Sequence, residues 1–166
     1  VDHVNPIAHC QNVTIQLDAN GNATITASQV NNGSTDNCGI ASLSVSTSTF
    51  NCSNIGQNNV TLTVTDVNGN SSTCAAVVTV QDNVAPTALC QNITVQLGPG
   101  GTVNISAAQI NNGSFDNCAV GAMTVTPSSF NCSNLGPNTV TLTVHDNNGN
   151  SSTCTATVTV LDNNPP

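Results

Sequence analysis

Val60-Thr61-Leu62-Thr63-Val64-Thr65-Asp66-Val67-Asn68-Gly69-Asn70-Ser71-Ser72-Thr73-Cys74-Ala75-Ala76-Val77-Val78-Thr79-Val80 is the stretch whose reading decides the fold. Val60, Leu62 and Val64 alternate with Thr on one arm, and Cys74, Ala76, Val78 and Val80 recur at every second position on the other. Successive side chains of a strand point to opposite faces, so a period of two collects all seven on one side. Between the arms, Asp66 to Asn70 centre on Asn68-Gly69, a pair suited to the tight turn of a hairpin. The stretch predicts a long antiparallel hairpin with one apolar face and one Thr/Ser face.

The same period runs outward from the hairpin. Val13, Ile15 and Leu17 alternate with Thr14 and Gln16, Ala23, Ile25 and Ala27 follow an Asn20-Gly21 turn, and Leu43 and Val45 lie in a Ser/Thr-rich strand. Six or seven short strands separated by turn signals predict a β-sandwich of immunoglobulin-like type, each of its two sheets burying one face. Phe50 and Phe130 read as core residues, and Phe115, replacing Thr35, as a loop residue open to solvent.

Sliding the chain on itself by 80 residues superposes Asp2 on Asp82, Cys10 on Cys90, Asp36 on Asp116, Cys38 on Cys118, Cys52 on Cys132, Asp66 on Asp146 and Cys74 on Cys154. Roughly 47 of about 80 positions are identical without a gap, which marks a duplication. The expected organisation is an all-β chain of two tandem sandwich repeats, 1–81 and 82–161, with 162–166 opening a further linker in the phase of Val80 to Pro86. Pro86 fixes its own φ and holds Ala85 extended, so the short connection is expected to set successive domains end to end with limited bending.

Composition excludes several function classes. The chain of 166 residues has no Lys or Arg and eight acidic residues, all Asp, for a formal net charge of -8. Nothing in it can neutralise phosphate, which excludes nucleic acid as a direct partner. No run of about 18 apolar residues is present to span a bilayer as a helix. Eight Cys, four per copy, lack the short paired spacing of a zinc ribbon and read as disulfides formed in an oxidising, extracellular compartment. Four Cys allow three connectivities, and the residues alone leave these open.

At Ala8-His9-Cys10, Thr35-Asp36-Asn37-Cys38-Gly39 and Val60 through Asp66-Val67-Asn68-Gly69-Asn70 to Cys74 and Val80, the chain resembles the hyalin-repeat (HYR) family, most of all the tandem versions in long surface proteins of Bacteroidetes. The resemblance covers both copies nearly end to end. It implies immunoglobulin-like domains serving in extracellular adhesion and as spacers. It also implies bridges from Cys10 to Cys74 and from Cys90 to Cys154, which leaves Cys38 with Cys52 and Cys118 with Cys132 as the remaining pairs.

Three acids recur in each copy: Asp2 and Asp82 in the linker, Asp36 and Asp116 before an inner Cys, and Asp66 and Asp146 opening the hairpin turn. In an immunoglobulin topology these positions share the end that receives the preceding linker. Their convergence would be oxygen-ligand chemistry suited to Ca²⁺. The competing reading makes Asp36 and Asp66 Asx-turn residues that hydrogen-bond their own loops. Asp18 reads as a turn residue alone. No His is repeated, and no nucleophile stands beside a placed base, so a non-enzyme is expected.

Sequons recur at Asn12, Asn32, Asn70, Asn92, Asn112 and Asn150 among others, and a secreted fibre could carry glycans there. The function expected is a structural repeat of an extracellular fibre, stalk or adhesin shaft, partnered by like domains end to end in an array or filament. The alternative is an adhesive module that binds carbohydrate or a surface through its loops.

Overall fold

The computed structural model describes residues 2–163. It is built almost wholly of strands, in two immunoglobulin-like sandwiches; one compact unit ends at Asn83 and the next begins at Val84. Of the linker expected at 162–166, residues 164–166 lie outside the described residues.

In the first unit the order is β1 (Val13–Gln16), β2 (Asn22–Thr24), α1 (Ala27–Val30), β3 (Ile40–Val45), β4 (Thr49–Asn51), a 3-10 turn (Cys52–Asn54), β5 (Gly56–Asp66) and β6 (Ser71–Gln81). A four-stranded sheet runs β1-β6-β5-β3, and β2 pairs with β4 in a second, two-stranded layer. The second unit repeats this with β7 (Ile93–Gln96), β8 (Thr102–Asn104), α2 (Ala107–Ile110), β9 (Val120–Thr126), β10 (Ser129–Asn131), β11 (Gly136–Asp146) and β12 (Ser151–Leu161). Its sheets are β7-β12-β11-β9 and β10-β8.

The hairpin expected at 60–80 is β5-β6, antiparallel from Gly56 opposite Val80 to Thr65 opposite Ser71. Gly69 takes φ +91°, which the turn requires and an L side chain resists. The alternating residues Val60, Leu62, Val64, Ala76, Val78 and Val80 are all buried. With Ile15, Leu17, Ile25, Val30 and Phe50 they form the first core. The second core is their repeat, Leu97, Ile105, Ile110, Phe130, Val140, Leu142, Val144, Ala156, Val158 and Val160. Phe115 is 57% exposed, so the two Phe before Cys52 and Cys132 and the loop Phe fall as their sequence contexts imply.

Two local features escape the period-two reading. Ala27 does not continue a strand but opens a single helical turn, because the Gln29 side chain accepts from the Thr26 N–H at 2.8 Å. Ser106 and Gln109 do the same in the second copy. The Thr-x-x-Gln and Ser-x-x-Gln spacing of a capping box was the available signal. The first strand, β1, pairs parallel to the last, β6, with Val13 opposite Val78.

Each unit holds one internal disulfide. Cys10 bonds Cys74 and Cys90 bonds Cys154, the pairs the family resemblance implied. Cys74 stands on the core-facing side of β6, while Cys10 pairs with Asn31 just after α1, so the bond ties the segment before β1 to the long hairpin.

The remaining pairing is corrected. Cys38 and Cys132 are free thiols, while Cys52 and Cys118 are disulfide-bonded, so neither Cys38 with Cys52 nor Cys118 with Cys132 forms and no unit carries two internal bridges. The reason is the length of the sandwich. Cys38 precedes Ile40, which pairs with Asp66 at one end of β5, whereas Cys52 lies just before Gly56 at the other. Eleven residues of strand span roughly 30 Å, and a disulfide holds its Cα atoms within about 7 Å. Cys118 and Cys132 are kept apart by β11 in the same way.

Candidate metal centre

The leading end of the first unit gathers the segment before Pro6, the loop before β3 and the β5-β6 turn. Ser72 Oγ donates to the Pro6 carbonyl and Asn70 Nδ2 donates to the carbonyls of Asp2 (3.2 Å) and Val4 (3.3 Å), which holds the incoming segment on the hairpin. Through these contacts Asp2, Asp36 and Asp66 come together, each offering a carboxylate oxygen within 4.8 Å of the others.

Each acid is anchored by its own loop. Asp66 Oδ1 accepts from the N–H groups of Asn68 and Asn70, both at 2.8 Å, and its Oδ2 accepts from Asn70 Nδ2 at 2.7 Å. Asp36 Oδ2 accepts from the N–H groups of Cys38 (2.8 Å) and Gly39 (3.1 Å). Asp2 Oδ1 accepts from the Val4 N–H at 3.0 Å. The Asx-turn reading therefore describes half of each outer carboxylate. The other half, Asp2 Oδ2 and Asp36 Oδ1, is buried with no hydrogen bond of normal geometry.

Electrostatics sharpen the point. Burial pushes the Asp66 carboxyl up, but the Asn70 side chain and the N–H groups of Asn70, Asn68 and Gly69 together outweigh it and hold its pKa below the usual carboxylate range. The Val4 N–H, followed by the Cys38 thiol, lowers that of Asp2. The same contact, seen from the thiol, raises the Cys38 pKa, with burial and the charges of Asp2, Asp36 and Asp66 adding to it. Closely spaced carboxylates, unaccompanied by any Lys or Arg in the chain, repel one another when charged.

The donor set fits a hard cation. Two oxygens on opposite sides of one Ca²⁺, each about 2.4 Å from it, lie about 4.8 Å apart, and Ca²⁺ accepts carboxylates with water completing six to eight ligands. Asp2 Oδ2 and Asp36 Oδ1 are the buried oxygens such an ion would satisfy.

In the second unit Asp116 Oδ2 accepts from the N–H groups of Cys118 (3.0 Å) and Ala119 (3.2 Å), and its Oδ1 is buried without a hydrogen bond. Asp146 Oδ1 accepts from Asn148 and Asn150, and its Oδ2 from Asn150 Nδ2. Burial raises the Asp146 pKa, but the Asn150 side chain and the Asn148, Asn150 and Gly149 N–H groups lower it by more. Asp82 follows β6 in the last residues of the first unit. Asp18 stands apart from the cluster, its Oδ1 accepting from Asn20 and Asn22 in the β1-β2 turn.

The sequons divide. Asn12, Asn32, Asn92 and Asn112 are exposed. Asn70 uses its side-chain nitrogen in the carboxylate cluster, and Asn150 uses its own on Asp146. A sugar at that nitrogen would replace a proton the site employs, a cost that only the folded contacts reveal.

No protein-family model matches the chain, and no curated protein matches it. Solved structures do resemble it. The crystal structure of human mucin-like protocadherin EC1-2 matches over 95% of this chain and 98% of that one, at 12% identity and TM-score 0.43. Extracellular cadherin domains 1-4 of protocadherin gamma B7 match over 95% of this chain and 51% of that one, at 13% identity and TM-score 0.41. An I-band fragment of titin matches over 97% and 67%, at 13% identity and TM-score 0.37. These are likenesses of fold alone. Among the described residues no helix is long and apolar enough to cross a membrane.

Proposed function

We propose that this chain is a non-catalytic structural repeat of an extracellular fibre, stalk or adhesin shaft, of hyalin-repeat type, with Ca²⁺ at the leading end of each repeat. One observation carries the reading: the same disulfide-stapled sandwich occurs twice in tandem, and in the first copy Asn70 and Ser72 hold the incoming segment on the hairpin, which sets Asp2 beside Asp36 and Asp66. An ion there would join linker to domain, which is what a load-bearing shaft needs at each joint. The sequence repeats the three acids at Asp82, Asp116 and Asp146, and the proposal extends to them by that repetition.

Exposed Asn12, Asn32, Asn92 and Asn112 are the positions where glycans fit this role, since a sugar there disturbs no core contact. Electron microscopy of the native material tests the reading. Long thin fibres of beaded repeats support it, and compact particles of uniform size overturn it.

The second reading, an adhesive module for carbohydrate or a surface, is favoured by the exposed Phe115, which pairs across from Thr87 next to the exposed Leu89. Retained binding to immobilised glycans that is lost on Phe115→Ser would favour this reading over the shaft.

A further inference from the structure

The dipeptide Asn-Gly occurs five times, at Asn20-Gly21, Asn32-Gly33, Asn68-Gly69, Asn112-Gly113 and Asn148-Gly149. In each, the Gly nitrogen can close a five-membered ring on the Asn side-chain carbonyl carbon, and a residue without Cβ does not obstruct that approach. By sequence the five are alike. Their surroundings in the fold are not.

Three are restrained. Gly21 is buried, and its N–H donates to the Asp18 carbonyl at 2.9 Å. The Gly69 N–H donates to the Asp66 carbonyl at 3.3 Å and also stabilises the Asp66 carboxylate, and the Gly149 N–H stabilises that of Asp146. The nitrogen attacks only after losing its proton, and an adjacent negative charge holds that proton on. Breaking a hydrogen bond beforehand slows the attack by about a further tenfold.

Two are not restrained. Asn32 and Gly33 are exposed, as are Asn112 and Gly113. Among the described residues the N–H groups of Gly33 and Gly113 donate to no acceptor. No atom beyond the flanking residues lies within 4 Å of where a Cβ would stand on either glycine, so water reaches both.

We propose that Asn32 and Asn112 are sites of self-modification, at which the chain deamidates to aspartate and isoaspartate through a succinimide. The deprotonated Gly33 nitrogen attacks Asn32 Cγ, the new N–C bond closes the ring, and the Cγ–Nδ2 bond breaks to release ammonia, which carries off the proton. Water then opens the ring. Attack at Cγ restores the original peptide bond and leaves aspartate. Attack at the backbone carbonyl carbon leaves the chain running through Cγ, one carbon longer, as isoaspartate. One water is consumed and one ammonia released, with no oxidant or reductant. Gly113 and Asn112 follow the same steps.

Each event adds a negative charge to a chain with no Lys or Arg to offset it. In the first unit it falls between two anchors, the Asn32 N–H on the His9 carbonyl at 2.8 Å and the pairing of Thr35 with Ile7, so an added backbone carbon must be absorbed within that short loop. The nitrogen lost is the one a sugar would occupy at either sequon, so a glycan there forecloses the step. The deamidation itself does not rest on the glycan reading.

The test holds the 166-residue chain, made without glycans and folded with its disulfides, at pH 8 beside a second sample that is reduced and unfolded. Because the chain has no Lys or Arg for trypsin, acid-quenched samples are digested with pepsin. Mass spectrometry then reads amide-to-acid conversion at each Asn, and isoaspartyl methyltransferase labelling reads isoaspartate. In the folded chain, acid is expected to accumulate at Asn32 and Asn112 at least about tenfold faster than at Asn20, Asn68 and Asn148, and unfolding should bring the five rates together. Equal rates at all five in the folded chain, or conversion of Asn32 and Asn112 that appears only on unfolding, overturn the proposal. Conversion at these two positions without isoaspartate overturns the succinimide route.

Discussion

Asn70 serves Asp66 twice, its backbone N–H donating to Oδ1 at 2.8 Å and its side-chain Nδ2 to Oδ2 at 2.7 Å, while the same Nδ2 reaches the carbonyls of Asp2 and Val4. One side chain therefore closes the hairpin turn and holds the incoming segment against it.

Asn70→Ala is expected to cost about 1–3 kcal/mol, because it leaves partly buried acceptors without their donor. Urea denaturation measures this; a midpoint unchanged from that of the parent would show that water replaces Nδ2 without loss.

The pH dependence follows from the carboxyl shifts. Asp66 and Asp146 have folded pKa values below the ordinary carboxylate range, so the unfolded chain binds more protons between the folded and unfolded values. Stability from these groups is complete above about pH 4 and declines as pH falls through the folded values. Thermal melts from pH 7 to pH 2 should be flat in their upper part and fall only at the acid end, and Asp66→Asn should flatten that fall. A decline already visible between pH 7 and pH 5 would contradict it.

Cation binding should read out through Asp36. With chelator present, Asp36→Asn should raise the melting temperature, since it removes one of three mutually repelling charges. With Ca²⁺ present, it should weaken binding by at least about tenfold, since affinity follows ligand charge. Calorimetric titration with Ca²⁺ decides; identical heats for parent and variant would remove Asp36 from the ligand set.

The bridge from Cys10 to Cys74 should dominate the stability of its unit. Cys10 and Cys74 are separated by 64 residues. In the chain-entropy model a loop of that size contributes about 4 kcal/mol, so replacing both with Ser should shift the first unit's unfolding by that order. Scanning calorimetry follows it, and a shift under about 1 kcal/mol would show that the unfolded chain is already compact.

Thiol reactivity provides a local probe. Asp2 raises the Cys38 pKa, so less thiolate is present at a given pH, and Asp2→Asn should speed alkylation of Cys38 at pH 8. Mass spectrometry of iodoacetamide-treated protein follows the rate, and an unchanged rate would show that Asp2 does not act on the thiol.

The alternation of Val60 to Val80, the Asn68-Gly69 turn, the 80-residue repeat and the burial of Phe50 were legible in the chain itself. Strand alternation and turn chemistry act over a few residues, so the order of residues carries them directly. Convergence of Asp2, Asp36 and Asp66 was legible only through topology, once a sandwich was assumed. The two helical turns were present as Thr26-x-x-Gln29 and Ser106-x-x-Gln109 but were masked by Ala27 falling in phase with Ala23 and Ile25. Cys38 and Cys52 look like neighbours because 14 residues separate them, yet β3 and β4 carry the chain from one end of the sandwich to the other between them. Only the tertiary structure decided that separation, because sequence distance limits how far apart two residues can be and says nothing of how near the fold brings them. It likewise decided which carboxylate oxygens are spent on their own loops and which are buried without a hydrogen bond, since that depends on backbone N–H groups presented by the fold rather than on the identity of any residue.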